Sequence, residues 1–445
     1  MLLSNFKVGG FKVFGVPVEL EMLPKTKNVQ YLSENIIERK DKNIIKKNLK
    51  STIIYGGNNT GKSSLLQGLM TMRTVFKKGN VEGFPFDMYR NFCYEFDDII
   101  RFEVSFLNEL KTIIYGIEIK DKETVGEYLF EDEELFFSRD LDGTHEGKLF
   151  EDNDFDVRFR DLPSDKLVVP YFLEYTKIVD KYKSFSLISK FFNKIHFVDN
   201  RKNEVNVKLY NSFINNPQKM TILNRLISST ELYLERRDVM PEDEFYKTDL
   251  YKGFVEKNNI EDISNTDDKK DNVKDLIDII RVTSIYKGKN GELVSKPSFV
   301  FDSVGTNKFI VLAMHIINAL LENNILLIDE FDSSLHHKLT RVLVILMNSS
   351  INKDAQFILT SHDVKLLSPQ LFRKDQINFV LRDECSVEVI SLDDFKANSN
   401  QDIRSNSNFE KMYVEEKIVP LPNTDIFQVI KEFSLYDEKK TNSKN

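Results

Sequence analysis

The chain has 445 residues, of which 41% are hydrophobic and 30% are charged, and its formal net charge is −8. This composition is ordinary for a folded protein of two or three domains, which excludes a largely disordered or collagen-like chain. The acidic balance argues against indiscriminate coating of nucleic acid, although a local basic face could still bind it.

Three further features predict a cytoplasmic protein without a membrane anchor. The chain has two cysteines, Cys93 and Cys385, with no metal-type spacing and no framework of bridges, which suits a reducing compartment. The N-terminal stretch MLLSNFKVGG lacks the apolar region of a signal peptide. The longest apolar run, residues 309–321, is too short to span a bilayer and contains His315.

In chain order, the first predicted elements are strands. Residues 2–23 alternate apolar and polar side chains around a Gly-Gly break, which predicts two strands. Residues 52–55 form a short apolar run that is typical of a buried strand. Residues 99–130 contain RFEVSFL and TIIYGIEI, which predict two more strands separated by a short turn.

The stretch GGNNTGKSS directly follows the buried strand and matches the phosphate-binding pattern G-x-x-x-x-G-K-[ST]. Its glycines let backbone N–H groups turn around a β-phosphate, Lys62 can reach the β- and γ-phosphate oxygens, and Ser63 can hold Mg²⁺. The next residues, SSLLQGLMTM, predict the helix that this loop requires. A glycine turn without a ligand is the alternative. The predicted nucleotide-binding residues of the loop are Gly56, Asn58, Asn59, Thr60, Gly61, Lys62, Ser63 and Ser64.

A helical region follows. Between residues 170 and 250, apolar residues lie three and four positions apart, as in FSLISKFFNKI. Residues 177–208 mix lysines with aromatic residues and could track a phosphate backbone, but a helix with a solvated basic face and a buried aromatic face is the favoured interpretation. The basic run at 39–50 is interpreted in the same way. Residues 261–272, EDISNTDDKKDN, predict a linker or exposed loop.

After a short strand pair around KGKNGELV, three motifs follow in order. The stretch FDSVGTNKF places Ser303 and Gly305 at the start of an apolar helix, where free N–H groups can face an anion; a plain N-cap is the alternative. The strand NILLIDE ends in Asp329, a predicted Mg²⁺ ligand, and Glu330, which would polarise the attacking water. The strand QFILTSHD ends at His362, which could sense the γ-phosphate or be structural.

The spacing of these motifs predicts the fold. Lys62 and Asp329 lie more than half the chain apart, which disfavours small GTPases and ring-forming ATPases. The spacing favours an α/β, ABC/SMC-type P-loop ATPase head: a mixed sheet with helices and an N-terminal antiparallel β-subdomain, interrupted by a mainly helical insertion. The predicted domains are an N-terminal lobe at 1–165, a helical insertion at 166–273 that serves as sensor or partner surface, a C-terminal lobe at 274–400, and an extension and tail at 401–445.

In a head of this class, the helix that begins near Ser303 and Gly305 lies too far from its own P-loop to touch the same nucleotide. We therefore expect a homodimer, or a higher even-numbered oligomer, that encloses ATP and Mg²⁺ between two copies. One copy would supply the P-loop with Asp329, Glu330 and His362, and the other copy would supply Ser303 and Gly305. Hydrolysis would rely on in-line positioning and charge neutralisation, with Lys62, Glu330 and His362 as the catalytic residues.

The assembled motifs resemble those of bacterial ABC-type "AAA family" ATPases of the abortive-infection group, similar to RloA and the AbiL-type ATPase component and, more distantly, to the overcoming-lysogenization-defect (OLD) ATPases. The resemblance covers most of the chain, including GGNNTGKSSLL, SVGTNK, LLIDEFDSSLHHKL and QFILTSHDVKLL. It implies that Lys12 lies near the phosphates and that residues 333–337 face the partner protomer. Two departures are a missing Q-loop glutamine, since Gln67 is too close to the P-loop, and an incomplete glycine-containing pattern in NFEKMYVEEKIVPLP.

The resemblance also implies an antiphage ATPase paired with an effector. OLD-type relatives carry a TOPRIM nuclease after the last ATPase motif, but too little chain follows His362 for that domain, and no glutamate followed by a D-x-D pair is found there. The acidic cluster at 151–156 is interpreted as a solvated loop rather than a metal site. We therefore expect the nuclease or other toxic activity in a separate effector protein.

Two other interpretations remain open. The chain could be an SMC/RecF-like ATPase that clamps DNA in repair, or a scaffold that binds ATP and hydrolyses little of it. The short insertion and the net acidity disfavour the clamp, although DNA remains a possible partner.

Overall fold

The computed structural model describes residues 1–25, 32–93, 98–140, 144–202, 206–230, 232–257, 276–395, 403–404 and 407–418. The predicted linker at 261–272 and most of the predicted C-terminal extension at 401–445 lie outside these residues.

The strands and helices alternate along the chain in the way an α/β protein requires. The strands are β1 (Leu2–Gly9), β2 (Val18–Glu21), β3 (Ile36–Asp41), β4 (Ile44–Leu49), β5 (Ser51–Tyr55), β6 (Ile100–Asn108), β7 (Lys111–Lys120), β8 (Glu123–Glu131), β9 (Glu134–Arg139), β10 (His145–Glu146), β11 (Ile195–Asp199), β12 (Leu234–Val239), β13 (Val282–Lys287), β14 (Leu293–Pro297), β15 (Ile325–Asp329), β16 (Gln356–Thr360), β17 (Ile377–Asp383) and β18 (Ser386–Ser391). The α-helices are α1 (Lys62–Lys78), α2 (Phe86–Tyr89), α3 (Asn153–Arg160), α4 (Val168–Phe172), α5 (Thr176–Lys181), α6 (Lys183–Asn193), α7 (Val207–Ile214), α8 (Pro217–Ser228), α9 (Glu242–Phe245), α10 (Asp249–Lys257), α11 (Ser298–Phe301), α12 (Val304–Glu322), α13 (His337–Asn348) and α14 (Phe409–Val414).

A seven-stranded antiparallel sheet forms the N-terminal subdomain, in the order β10-β9-β8-β7-β6-β1-β2. The strands predicted from residues 2–23 are β1 and β2, which pair antiparallel, and those predicted from residues 99–130 fall in β6, β7 and β8. Alternating apolar residues of β6 are buried, as expected for a sheet with one face against the core.

A second sheet of six strands, in the order β11-β15-β16-β5-β17-β18, carries the sequence motifs. Its first five strands are parallel and β18 is antiparallel. Because the carboxyl ends of parallel strands lie at one edge, the loops after β5, β15 and β16 meet there. The predicted architecture, an α/β fold with a mixed sheet, helices and an N-terminal antiparallel subdomain, is confirmed.

Hydrophobic clusters cover both faces of this sheet. Ile54 of β5, Leu327 of β15 and Ile358 of β16 belong to one cluster, which includes α1, α6 and the antiparallel subdomain. Their neighbours in the sequence point to a second cluster, formed with α12 and α13. Strands buried on both faces read as continuous apolar runs, which explains the composition of STIIY and ILLID.

The range predicted as a helical insertion is mainly helical, with α4 to α10 inside it. It also contributes β11 to the central sheet, where β11 pairs in parallel with β15, and it contributes β12 to a three-stranded sheet with β13 and β14. The segment is therefore part of the core as well as an addition to it. The division into four domains stays a prediction.

The expectation that the cysteines lack a bridge is wrong. Cys93, in the loop after α2, and Cys385, in the turn between β17 and β18, form a disulfide bond with their Cα atoms 5.8 Å apart. A second contact joins the same two segments, since the guanidinium of Arg382 lies over the ring of Phe92, 5.2 Å from its centre. A contact across 292 residues leaves no local pattern in a sequence.

Helix α12 is longer than the apolar run from which it was predicted. By length and composition alone, this one helix among the described residues could cross a membrane, a test that the core helix of a folded protein also passes. About 44% of its apolar window is buried inside the fold.

Candidate nucleotide-binding site

The P-loop (residues 56–63) connects β5 to α1 and has the predicted strand–loop–helix context. Gly56 and Gly61 have φ angles of 157° and 122°, which residues with side chains rarely adopt. A Cβ atom at Gly56 would lie 2.6 Å from the carbonyl oxygen of Val380, and one at Gly61 would lie 2.7 Å from Cγ2 of Val13. Both glycines are therefore required by the packing of the loop as well as by its turn.

The other predicted loop residues line the same turn. Asn58 and Asn59 are exposed, and Asn59 has a φ of 61°. The hydroxyl of Thr60 donates to the carbonyl of Gly57 at 3.0 Å. Ser64 lies in the first turn of α1 and is half-buried.

Lys62 is buried at the start of α1, and its ammonium closes the loop from inside. Nζ donates to the carbonyl oxygens of Gly56 and Gly57, each at 2.8 Å. Burial lowers the pKa of Lys62, and the nearby charge of Asp329 acts in the opposite direction. The loop thus encloses the ammonium of Lys62 at the place where, in this motif, the phosphate oxygens of a nucleotide bind.

Ser63 and Asp329, the two predicted Mg²⁺ ligands, are brought together. Ser63 Oγ donates to Asp329 Oδ1 at 2.9 Å, and Thr360 Oγ1 donates to the same oxygen at 2.7 Å. Asp329 is fully buried, and its Oδ2 accepts no hydrogen bond from any described residue. A buried carboxylate oxygen beside a serine hydroxyl is the hard donor set that Mg²⁺ prefers, so these residues fit the ion.

Glu330 follows β15 in a turn with an unusual backbone conformation. Its φ of 51° lies in the left-handed region, which is uncommon for a residue with a side chain. The backbone N–H of Glu330 donates to Thr360 Oγ1 at 2.8 Å, so Thr360 fixes both acidic residues. The Glu330 side chain is 33% exposed and remains accessible to a water molecule.

His362 lies just after β16, on the same sheet edge. Its backbone N–H donates to Asp332 Oδ1 at 3.1 Å, which ties it to the loop after β15. Burial lowers the pKa of His362, and the charge of Lys62 lowers it further. A neutral imidazole can donate one hydrogen bond and accept another, which suits either a phosphate oxygen or a water.

The signature turn (residues 303–306) begins α12. Ser303 is its N-cap, because Ser303 Oγ accepts from the backbone N–H of Thr306 at 3.0 Å. The plain N-cap is thus present, and Ser303 is exposed at the positive end of a 19-residue helix. A Cβ atom at Gly305 would lie 3.0 Å from the carbonyl oxygen of Ser334, so the turn packs against the loop after β15.

Lys12, expected near the phosphates, is held against α1. Its Nζ donates to Gln67 Oε1 and lies 5.3 Å from the ring centre of Tyr89. Burial lowers its pKa. The next residue, Val13, packs against Gly61, so this turn adjoins the P-loop. Gln67, which lies too close to the P-loop to be the Q-loop glutamine, is the hydrogen-bond partner of Lys12.

Two arginines at the site were missed by the sequence analysis. Arg201 follows β11, and its guanidinium lies 3.3 Å from Asp329 Oδ2 and 3.8 Å from Glu330 Oε1. Hydrogen bonding to Asp199 raises the pKa of Arg201. Arg382, on β17, donates to the P-loop carbonyl of Asn59 at 2.9 Å. Neither position carries a motif; the strand order alone places them here.

Most of the basic residues singled out in the sequence are paired or packed. Lys181 contacts Asp152 at 2.7 Å and Lys183 contacts Asp180 at 3.3 Å, while Phe191 and Phe192 are fully buried. This supports the interpretation of a solvated basic face over a buried aromatic face. In the run 39–50, which forms β3 and β4, Lys47 pairs with Glu38.

The acidic cluster at 151–156 forms the start of α3. Asp152 caps the helix by accepting from the backbone N–H of Asp154, and Asp156 pairs with Arg160. No group of three or more His, Cys, Asp or Glu side chains suited to a metal occurs in the described part of the chain. Asp152 and Asp156 therefore have structural partners.

Comparison with known families decides the class of this site. Residues 51–368, which run from β5 past His362, match the model of a family described as "AAA domain, putative AbiEii toxin, Type IV TA system". The chain belongs to this AAA domain family. An ATPase domain of the AAA type is thereby shown, and the matched range includes the P-loop, the signature turn, Asp329, Glu330 and His362.

Comparison with curated proteins gives no significant match. Among solved structures, the chain is similar to the SMC head domain from Thermotoga maritima, with 16% identity, a TM-score of 0.41, and 88% of this chain and 99% of that chain covered. It is also similar to an Smc head bound to the C-terminal winged-helix domain of ScpA, with 12% identity, a TM-score of 0.42, and 88% and 98% covered.

Proposed function

We propose that the protein binds and hydrolyses ATP as the ATPase component of a bacterial abortive-infection (antiphage) system, in which an ATP-linked homodimer controls a separate toxic effector, a nuclease or another toxin. The observation that carries the ATPase proposal is the junction of Ser63, Asp329 and Glu330. These residues come from segments more than half the chain apart and converge at the end of one P-loop.

The chemistry follows from what each side chain can do. When a nucleotide binds, Lys62 exchanges the carbonyls of Gly56 and Gly57 for phosphate oxygens, which restores partners of opposite charge to a buried ammonium. Ser63 and Asp329 would hold Mg²⁺, which would supply positive charge to offset the phosphates. Glu330 orients the attacking water, and His362 supplies a hydrogen bond beside it.

The second copy would complete the site. Ser303 is exposed at the N-terminus of α12, where the positive end of the helix dipole favours an anion. In the proposed dimer, this turn of one copy meets the γ-phosphate held by the other, so that ATP binding drives association. ATP hydrolysis would then release the dimer.

The defence role rests on the family and on the motifs. The family description names an AbiEii-type toxin and a type IV toxin–antitoxin system, and SVGTNK followed by IDEFDSSLHH resembles RloA and AbiL-type ATPase components. A separate effector is therefore proposed as the partner.

One purification of a trapped variant tests the proposal. The variant Glu330→Gln keeps the shape of the side chain but cannot accept a proton, so ATP turnover should fall about a thousandfold while binding persists. Expressed with a tag in its host and purified with Mg·ATP, it should elute as a dimer together with an effector. That effector, expressed without this chain, should stop growth.

Lys62→Ala is the matched control, since it should lose ATP binding and stay monomeric under the same conditions. Undiminished turnover by Glu330→Gln would remove the catalytic assignment. Recovery of DNA alone, with no protein partner, would replace the effector-control proposal with that of a DNA-binding ATPase.

A further inference from the structure

A buried polar cluster lies immediately before the signature turn. Its centre is the carboxylate of Asp302, which is 0% exposed although it directly precedes exposed Ser303. Arg237, Ser284 and Tyr286 all donate to this carboxylate. Burial, together with the hydrogen bond to Asp302, raises the pKa of Tyr286 to about 12, so its hydroxyl stays protonated and can donate.

Arg237 makes a second contact, so that it hydrogen-bonds to residues on both sides of the signature turn. Its Nη2 donates to Asp302 and also to Asn307 Oδ1, the latter at 2.8 Å. Asp302 lies just before the turn and Asn307 just after it. One guanidinium, itself 2% exposed, therefore fixes the chain on both sides of residues 303–306.

The arginine is held by the helical segment rather than by α12. It lies on β12, and the side-chain amide of Asn224 on α8 pairs with its backbone, accepting from N–H at 2.8 Å and donating to the carbonyl at 3.0 Å. Helix α8 packs against both β12 and α12. The position of the signature turn is thus tied to the α8–β12 unit.

We propose that Arg237 is a positioning residue for ATP-driven dimerisation, holding Ser303 and Gly305 in the orientation in which they meet the nucleotide of the second copy. The inference rests on the proposed function, because only an ATP-linked dimer uses these residues in trans. Both hydrogen bonds come from the single nitrogen Nη2, whose two N–H directions are fixed by the plane of the guanidinium, whereas an ammonium on a flexible stem can turn.

A merely structural role makes a different prediction. If Arg237 only neutralised the buried charge of Asp302, any loss on substitution would be a loss of folding stability, shared by every property of the protein. A positioning role instead separates two properties. ATP binding by one copy uses the P-loop and should persist, while association of two copies uses the signature turn and should weaken.

The test uses the full chain carrying Glu330→Gln. Arg237→Lys keeps the charge and removes the planar donor group, so the ATP-dependent dimer dissociation constant, measured by sedimentation, should rise at least about tenfold because the donors are misplaced. ATP affinity, measured with a fluorescent analogue at concentrations where the protein is monomeric, should stay within about twofold of the parent. Arg236→Lys is the matched control: Arg236 is the neighbour on β12, is 44% exposed, pairs with Asp238, and should leave both constants unchanged.

If Arg237→Lys fails to fold, the double variant Arg237→Met/Asp302→Leu replaces the ion pair by apolar side chains, a change that buried pairs often tolerate. It too should bind ATP and dimerise weakly. If either of these variants folds and dimerises as tightly as the parent, the proposed role of Arg237 is wrong. A parallel loss of ATP affinity and dimer affinity also contradicts it. A Glu330→Gln parent that stays monomeric with ATP overturns the proposed dimer itself, and with it this inference.

Discussion

Arg201 brings a positive charge to the two acidic residues that define the site. In the parallel pairing of β11 with β15, Asp199 lies opposite Asp329, so the residues that follow Asp199 reach the same sheet edge. The Arg201 guanidinium is 45% exposed and lies 3.3 Å from Asp329 Oδ2, the oxygen that accepts no hydrogen bond from the described residues. A cation at this oxygen competes with any Mg²⁺ ion that Asp329 would hold.

The variant Arg201→Ala should therefore bind Mg²⁺ more readily. Because an ion pair at this exposure contributes up to about 1 kcal/mol, the Mg²⁺ concentration for half-maximal ATP binding should fall up to about fivefold. The measurement is the affinity for a fluorescent ATP analogue across a Mg²⁺ titration. Lys202→Ala removes the same charge one residue later and serves as the control. An unchanged Mg²⁺ dependence in Arg201→Ala would show that the guanidinium does not compete.

Some site residues could be predicted from the neighbouring sequence, whereas others depend on segments that are distant along the chain. Gly56, Lys62 and Ser63 form a local motif, and Asp329 and Glu330 end a recognisable apolar strand, so the sequence was enough to find them. The hydrogen bond from Ser63 Oγ to Asp329 Oδ1 shows that these two segments lie together, while the roles of the residues stay predictions. Thr360, Arg201 and Arg382 act through strand order and register, which a single sequence does not display.

Helix α12 connects the signature turn to the core of the protein. Its first turn carries Ser303, and its buried residues Phe309 and Ile316 pack in the cluster that also covers β15 and β16. His315, on the same helix, lines a cavity of about 390 Å³ between α12 and β11. Burial, together with the smaller effect of the neighbouring His196, lowers the pKa of His315 to about 4.

This buried histidine should make the fold sensitive to acid. Above the unfolded-state pKa of about 6.5, His315 is neutral in both states and contributes no pH dependence. As the pH falls toward 4, the unfolded chain binds a proton that the folded chain does not, so the free energy of unfolding should decrease by about 2 kcal/mol between pH 7.5 and pH 5 from this residue.

The variants His315→Gln and His315→Leu lack this titration. Between pH 7.5 and pH 5, the free energy of unfolding of each variant should decrease by about 2 kcal/mol less than that of the wild type, whatever its stability at pH 7.5. Urea denaturation at each pH measures the difference. Equal acid losses in the wild type and in both variants would show that His315 is not protonated on unfolding in this range.

At the level of elements, the sequence predicted the type of most segments but less of their assembly. The hydrophobic period of FSLISKFFNKI gave α6 directly. The neighbouring strand β11 was not found, because IHFVD is a short apolar run between helices and only its pairing with β15 identifies it. The disulfide between Cys93 and Cys385 was missed for the same reason, since it joins segments that meet only in the folded chain.

At the scale of the whole molecule, one copy contains two parts of a site, and neither part is complete by itself. The P-loop, Asp329, Glu330 and His362 lie at the carboxyl edge of the central sheet, whereas Ser303 caps its own helix and the signature turn packs against the loop after β15. In an isologous dimer, each half would be used twice, so two composite sites would form across one two-fold axis. Arg237 and the α8–β12 unit would then determine how well the signature turn of one copy is positioned for the nucleotide of the other.

Mixing two inactive variants tests this arrangement. Ser303→Arg keeps the P-loop but blocks the signature turn, and Lys62→Ala keeps the signature turn but cannot bind ATP, so each alone should hydrolyse no ATP. In an equal mixture, each mixed dimer has one complete site of two, so turnover should return, to at most about half of the wild-type value. Mixing Ser303→Arg with the double variant Lys62→Ala/Ser303→Arg should restore nothing, because that partner offers no intact signature turn. If Ser303→Arg alone turned over ATP at the wild-type rate, a single copy would be sufficient, and the two-fold arrangement would have to be abandoned.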